Sequence, residues 1–339
     1  MVDILKLDEA GLEEVLSEPS DSLREEIRKE EGDFIVLGAA GKMGPTLAMM
    51  LKKAAPKKNV YAVSRFSDPA TKERLEKTGI HVIVADLLDK SVYGYLPKAE
   101  NVYFLAGRKF GATGNQSLTW AMNSYVPTLV ARHYRESRIV VFSTGNVYPL
   151  VEITSGGATE ETPPNPIGEY AQSCLGRERM FEYFSSRYDT PVTIVRLNYA
   201  NEPRYGIIVD LTLKIGNDEP IDLTMGAVNL IWQRDANDYI LRSIRLAHSP
   251  PTLLNVTGPG TISVRDLAEL IGKILIKKPR IVGKESATCL LSNAAKCFGE
   301  FGNPMMDLEK MVFNIVRWVK AGKKILHKPT KYQVRDGKF

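Results

Sequence analysis

Cysteine is scarce in this chain: three residues in 339, at positions 174, 289 and 297, with no Cys-x-x-Cys pair among them. That argues against a disulfide framework or a structural zinc site and points to a reduced, cytoplasmic protein. Histidine is nearly as rare, with four scattered residues, so a histidine-built metal centre is not expected. No apolar run approaches the roughly 20 residues needed to span a bilayer, and the acidic N-terminal segment does not resemble a signal peptide. Long runs of positive charge are missing too. The net charge of +5 is dispersed rather than gathered into a stripe, which argues against nucleic acid as the main partner.

What is present is an ordinary globular composition, 44% hydrophobic and 25% charged, in a chain long enough for two joined lobes. Charge is uneven along it. Residues 1–32 hold eleven acids and four bases, a net of −7, which leaves +12 for the remainder. Leu5–Lys29 reads as one or two amphipathic helices, with Ser20 or Asp21 as an N-cap, and carries no chemical motif. This acidic extension is expected to pack on the main lobe or on a partner subunit.

The most informative stretch follows it. Phe34-Ile35-Val36-Leu37 has the length of a buried parallel strand and runs into Gly38-Ala39-Ala40-Gly41-Lys42-Met43-Gly44, with a helical pattern from Pro45 to Lys53. Glycine at 38 permits a tight strand-to-helix turn, glycine at 41 lets backbone N–H groups approach a pyrophosphate, and glycine at 44 lets the helix lie close to the sheet. Ala40, Lys42 and Met43 complete the loop. The reading is dinucleotide binding; a plain strand–helix turn is the alternative.

Apolar strand candidates recur at 60–64, 81–85, 101–106, 139–143 and 191–196, separated by helical stretches, as a doubly wound parallel sheet requires. Segments 240–247 and 253–256 read as a return to the sheet. The expected organisation is an α/β, Rossmann-type domain over 33–200 plus 237–258. A smaller C-terminal substrate lobe over 201–236 and 259–339 completes it. Ligands in such folds lie beyond the carboxyl ends of the strands. There the second strand offers Ser64 and Arg65 in place of an acid, which suits the 2′-phosphate of NADP over the bare ribose of NAD, with Lys42 as a second cation. Asp86 and Leu87 after the third strand suit the adenine edge. Ala106 and Gly107 after the fourth let backbone pass close to the cofactor.

Taken together, the glycine loop, Asp86-Leu87, Leu105-Ala106-Gly107, Asn123, Phe142-Ser143-Thr144-Gly145-Asn146-Val147-Tyr148-Pro149 and Tyr170 resemble the extended short-chain dehydrogenase/reductases. Leu254–Gly258 and Ile262–Ala268 add to the match, which is best with the NAD-dependent epimerase/dehydratase group and covers roughly 33–302. The resemblance implies hydride transfer at a carbinol carbon, with Thr144 and the adjacent Ser143 at the hydroxyl position, Tyr170 as acid/base and Asn123 in support. It also implies a homodimer through two helices, about Gln116–Tyr134 and Gly168–Ser186, with Trp120, Tyr125, Leu129, Met180, Phe181 and Phe184 as apolar candidates.

The pattern breaks where the family places lysine four residues after the tyrosine: position 174 is cysteine. Lowering a phenol from about 10 to about 7 takes roughly 4 kcal/mol of differential stabilisation, which a neutral thiol does not supply. Lys109, with Arg108 as runner-up, is the expected substitute; Arg177 lies two turns along the same face. Substrate recognition departs as well. Val228 stands where sugar-nucleotide members carry an arginine, and Asn198 is displaced by one position, with Tyr199 in its place. Arg108, Asn146, Asn198, Arg204 and Arg234 remain as substrate contacts. The expected enzyme is an oxidoreductase, epimerase or dehydratase acting on a sugar, sugar nucleotide or related hydroxy/keto compound. The alternative is an NADP-binding sensor or scaffold that has lost catalysis.

Overall fold

The computed structural model describes residues 3–109 and 114–338. Seven parallel strands make the central sheet: β1 (Phe34–Leu37), β2 (Val60–Ser64), β3 (His81–Val84), β4 (Asn101–Phe104), β5 (Arg138–Thr144), β6 (Val192–Leu197) and β7 (Thr252–Val256). Their spatial order is β7-β6-β5-β4-β1-β2-β3, so the order reverses between β4 and β1, where a crevice opens at the strand ends. Phe34 pairs with Val60 on one side and Asn101 on the other. Every residue of β1 and β4 is buried, which is why these strands read as unbroken apolar runs.

Helices cover both faces. On one side, α3 (Gly44–Ala54) packs with α2 (Asp21–Lys29) and α9 (Gln233–Arg242) around Phe34, Val36, Leu47, Met50 and Ile240. On the other, α6 (Val126–His133) and α7 (Gly168–Tyr188) enclose Phe104, Val126, Val130 and Phe181. Helix α6 continues from α5 (Gln116–Trp120) through a π-helical turn, Ala121–Tyr125, which carries Asn123. A third core gathers α8 (Ile207–Gly216), α10 (Val264–Leu275) and α12 (Leu308–Lys320), together with Leu12 and Leu16 of α1 (Glu9–Leu16). Among the described residues, the remaining α-helices are α4 (Pro69–Lys77) and α11 (Ala295–Phe301).

The acidic extension lies against the main body. Ser20 caps α2, accepting from the Leu23 amide at 3.0 Å. Glu13 meets Arg204 at 3.0 Å and Arg74 at 2.9 Å, Glu26 meets Arg242 at 2.7 Å, and Glu30 pairs with Arg138. The charge asymmetry of the sequence is thus neutralised within the chain.

One expected strand is not one. Residues 240–247 form the end of α9 and a 3₁₀ turn, Ser243–Leu246. Tyr239, Ile240, Leu241 and Ile244 are all buried, because α9 is sandwiched between α3 and α2. Its polar residues are buried as well, Gln233 and Asn237 on Thr46 and Arg242 on Glu26. Only the short apolar run Tyr239–Leu241 therefore stood out in the sequence, and a run that short does not distinguish strand from helix. The remaining strands fall within two residues of their expected ends. Among the described residues no helix is long and apolar enough to cross a membrane.

Candidate functional site

The turn from β1 to α3 forms one wall of a cleft of about 340 Å³. Each glycine there has a distinct role. Gly38 adopts φ +92°, and a Cβ on it would fall 2.5 Å from the Ala106 amide nitrogen, so it lets β1 and β4 end side by side. A Cβ on Gly44 would sit 2.4 Å from the Ala39 carbonyl oxygen, so the helix is drawn against the turn. Gly41 is exposed, and its nearest obstacle would be the Gly38 carbonyl at 3.3 Å. Helix α3 has no side-chain cap. Its first amide groups and the open flank at Gly41 fit a pyrophosphate by dipole and by shape. Ala40 is half-buried, and Met43 belongs to the core beneath the loop.

Lys42 does not turn toward Ser64 and Arg65. Its ammonium donates to the Ala200 carbonyl at 2.7 Å and lies 4.4 Å from the centre of the Tyr205 ring. Burial pushes it down to about 7, with Glu202 opposing that shift and Arg204 and Lys109 adding to it. Ser64 and Arg65 stand at the end of β2 outside this cleft, Ser64 half-buried and Arg65 exposed. Asp86 accepts from the Leu88 amide at 3.0 Å, and Leu87 is buried beside it.

The opposite wall is built from β4, β5 and α7. Asn123 is fully buried and clamps the loop after β4: its side chain accepts from the Arg108 amide at 2.8 Å and donates to the Arg108 carbonyl at 3.0 Å. It also donates to Ser173 at 2.9 Å. Thr144 ends β5 with its hydroxyl on Asn146 at 2.9 Å and within hydrogen-bonding reach of Tyr170. Ser143 points elsewhere, donating to buried Glu178, which in turn holds Arg196 at 2.7 Å. Burial drives the Tyr170 phenol well above its ordinary range, and the neighbouring Cys174 adds to the rise. Arg177 and Thr144 act in the other direction.

Lys109 lies over the Tyr170 ring, 5.9 Å from its centre, and donates to the Thr330 carbonyl at 3.4 Å. Burial pushes it down to about 8. Gly107, expected to leave room for cofactor, faces a guanidinium: a Cβ there would be 2.2 Å from Arg177 Nη2.

Arg108, Asn146 and Asn198 line the cleft, and the buried Asn198 amide nitrogen has no hydrogen-bond partner among the described residues. Arg204 and Arg234 do not line it. Arg204 is locked among Glu202, Glu13 and Glu9, at 3.0–3.2 Å. Arg234 donates to the Glu18 carbonyl at 2.7 Å on the N-terminal extension. The cleft adds residues that sequence reasoning did not single out. Tyr205 precedes α8, while Lys328 and Thr330 come from the irregular C-terminal segment. That segment is pinned by Thr330 on Asp210 at 2.6 Å and ends with Gly337 packed on Gly168, at the start of α7. Nothing in its local pattern announces a site, because it has no period to read.

The sequence profile of the NAD dependent epimerase/dehydratase family matches residues 34–203. Similar solved structures include Pal from Bacillus thuringiensis, 20% identical with a TM-score of 0.73, covering 86% of this chain and all of that one. UDP-glucuronic acid 4-epimerase from Bacillus cereus, in complex with UDP-glucuronic acid and NAD, is 18% identical at TM-score 0.71, with 85% and 99% coverage. dTDP-glucose 4,6-dehydratase from Bacillus anthracis, in complex with NAD, is 16% identical at 0.73, with 86% and 97% coverage. At such identities the likeness is one of fold. No curated protein matches the chain by sequence.

Proposed function

The chain belongs to the NAD dependent epimerase/dehydratase family, and from that premise we propose that it is a nicotinamide-dinucleotide-dependent oxidoreductase, epimerase or dehydratase acting on a sugar or sugar nucleotide. The observation that carries this reading is convergence. The open anion cradle at Gly41, the Thr144 hydroxyl and the Tyr170 phenol border one cleft at the point where the strand order reverses.

When bound, the dinucleotide supplies a hydride acceptor and donor. The chain's own residues do the rest. The α3 N-terminus and Gly41 hold the pyrophosphate; Thr144 orients the substrate oxygen; Tyr170 exchanges its proton with that oxygen. Asn123 keeps the loop after β4 in register with α7, so that Arg108 and Lys109 stay at the cleft. Asn146 and Asn198 offer amide groups to substrate hydroxyls or a phosphate, and the unpartnered Asn198 nitrogen favours that role. Arg65, exposed at the end of β2 where no carboxylate stands, supports NADP over NAD. Lys42 adds nothing to that preference, because its ammonium faces Ala200.

A homodimer through α5–α7 remains part of the reading. Trp120 and Tyr125 stay exposed on that surface, whereas Phe181 and Phe184 are consumed by the core. Light scattering should report a species of twice the 37.7 kDa chain mass. Cys174 favours a second reading, a cofactor-binding protein without turnover. Incubation with NAD or NADP and UDP-glucose, UDP-glucuronic acid or dTDP-glucose, followed by product analysis, separates the two. Cofactor binding with no conversion of any of these, and no difference between wild type and Tyr170→Phe, would sink the enzymatic reading.

A further inference from the structure

Position 174 is a small, fully buried thiol, and the space around it holds an unusual guest. Arg177, one turn further along α7, is 5% exposed and bends into the floor of the cleft. Its Nη1 donates to the Phe142 carbonyl at 2.6 Å and its Nη2 to Asn123 Oδ1 at 2.8 Å. The Asn123 amide nitrogen lies 3.9 Å from Cys174 Sγ, so one asparagine borders both side chains. On the far side the guanidinium is pressed on Gly107, which has room for it only as glycine. Both acceptors are neutral. Among the described residues no carboxylate lies within 4 Å of Arg177; Glu178, next in sequence, is spent on Ser143 and Arg196. A buried cation without a counter-ion is costly to keep, so its charge is available to whatever ionises beside it.

We propose that Arg177, one turn beyond position 174 and two turns from Tyr170 on α7, restores the positive charge that the chain lacks at position 174, and that it acts as a positioning residue stabilising the ionised phenol of Tyr170. The inference rests on the reading of Tyr170 as the acid/base. Among the described residues, Arg177 from α7, Thr144 from the end of β5 and Lys109 from the loop after β4 line the same cleft as Tyr170, and Cys174 lies one turn along α7 from it. Of the two cations, Lys109 lies over the ring, 5.9 Å from its centre, and, pushed down to about 8 by burial, loses its charge above that pH. A guanidinium keeps its charge throughout. The small thiol is the other half of the exchange, since a long side chain at 174 would compete with Arg177 for Asn123.

The test uses the cofactor-free protein with 3,5-difluorotyrosine incorporated at position 170, whose phenol titrates well below that of tyrosine and is followed by ¹⁹F NMR. Arg177→Gln and Arg177→Met should each raise its midpoint by about one pH unit or more, and Arg177→Lys should leave it within about half a unit of wild type. Circular dichroism identifies which of the uncharged variants folds, and either suffices. An uncharged variant that titrates within about 0.3 units of wild type overturns the proposal, as does a larger shift from Lys109→Met than from Arg177. Because no turnover is measured, this failure is distinct from failure of the enzymatic reading, which Tyr170→Phe decides on the sugar nucleotides named above.

Discussion

The two walls of the cleft are built by different means. At the glycine wall, the fit is a property of backbone: Gly38 and Gly44 each answer a close approach, Gly41 keeps the loop open, and the helix end has uncapped amide groups. At the α7 wall, function is a property of side chains meeting across β4, β5 and two helices. There the chain departs from its family at position 174, and a guanidinium from position 177 occupies the neighbourhood. Backbone geometry can be satisfied in few ways, so its sequence signature is rigid. A charge can be delivered from any residue whose side chain reaches, so its signature can move along a helix.

The comparison breaks most completely if the glycine wall tolerates a side chain. Gly44→Val would place its Cβ 2.4 Å from a backbone oxygen. It should cost about 3 kcal/mol or more in urea unfolding and abolish dinucleotide binding in a calorimetric titration. At the other wall, Tyr170→Phe removes only an oxygen. It should leave unfolding nearly unchanged while lowering turnover about 10²–10⁴-fold in a steady-state assay; a comparable loss of stability would mean that the tyrosine is structural.

Smaller effects sharpen the contrast. Cys174→Lys adds a second cation beside Arg177 and should lower stability by about 1–3 kcal/mol, whereas the same change combined with Arg177→Met should recover most of it. A double-mutant cycle in urea gives the coupling, and strict additivity would separate the two positions. Lys42→Met tests the buried ammonium of the glycine wall. A lysine pushed from 10.5 down to about 7 in the folded chain penalises folding most below pH 7, and the penalty fades as pH rises toward 10.5. The variant should therefore be more stable than wild type by about 1–3 kcal/mol at pH 6, with the gain shrinking by pH 9. A pH-independent difference would refute the charge explanation. Smallest is Arg65→Ala, expected to weaken NADP about tenfold and leave NAD unchanged by calorimetry.

Legibility followed the same division. All seven strands of the sheet were readable from apolar runs: the inner ones because a parallel strand buried on both faces has little else to be, and the half-exposed edge strand at 81–84 because three of its four residues are β-branched. The helix at 233–242 was not, because its polar residues are buried by partners distant in sequence, Thr46 and Glu26, and its short apolar end, Tyr239–Leu241, reads equally as strand. Arg204 and Arg234 looked like substrate contacts in one dimension. In three, the acidic extension reaches them, Glu13 and Glu9 binding one and the Glu18 carbonyl the other. Lys42 was expected beside Arg65 and faces Ala200 instead, because its rotamer is chosen by the Tyr205 ring across the cleft.

By itself the sequence determined what depends on residues near one another in the chain. That includes the strand–glycine–helix turn, the alternation that forces a doubly wound sheet, the Ser20 cap of α2, and the absence of lysine at 174. Tertiary structure alone decided what depends on which surfaces meet. It put Arg177 against Gly107 and Asn123, brought Lys328 and Thr330 over the cleft, and used the N-terminal carboxylates to hold Arg74, Arg204 and Arg242. The physical reason is that hydrogen-bond and hydrophobic periodicities act within a few residues, while a charge in a low-dielectric interior answers to everything within several ångströms, whatever its distance along the chain.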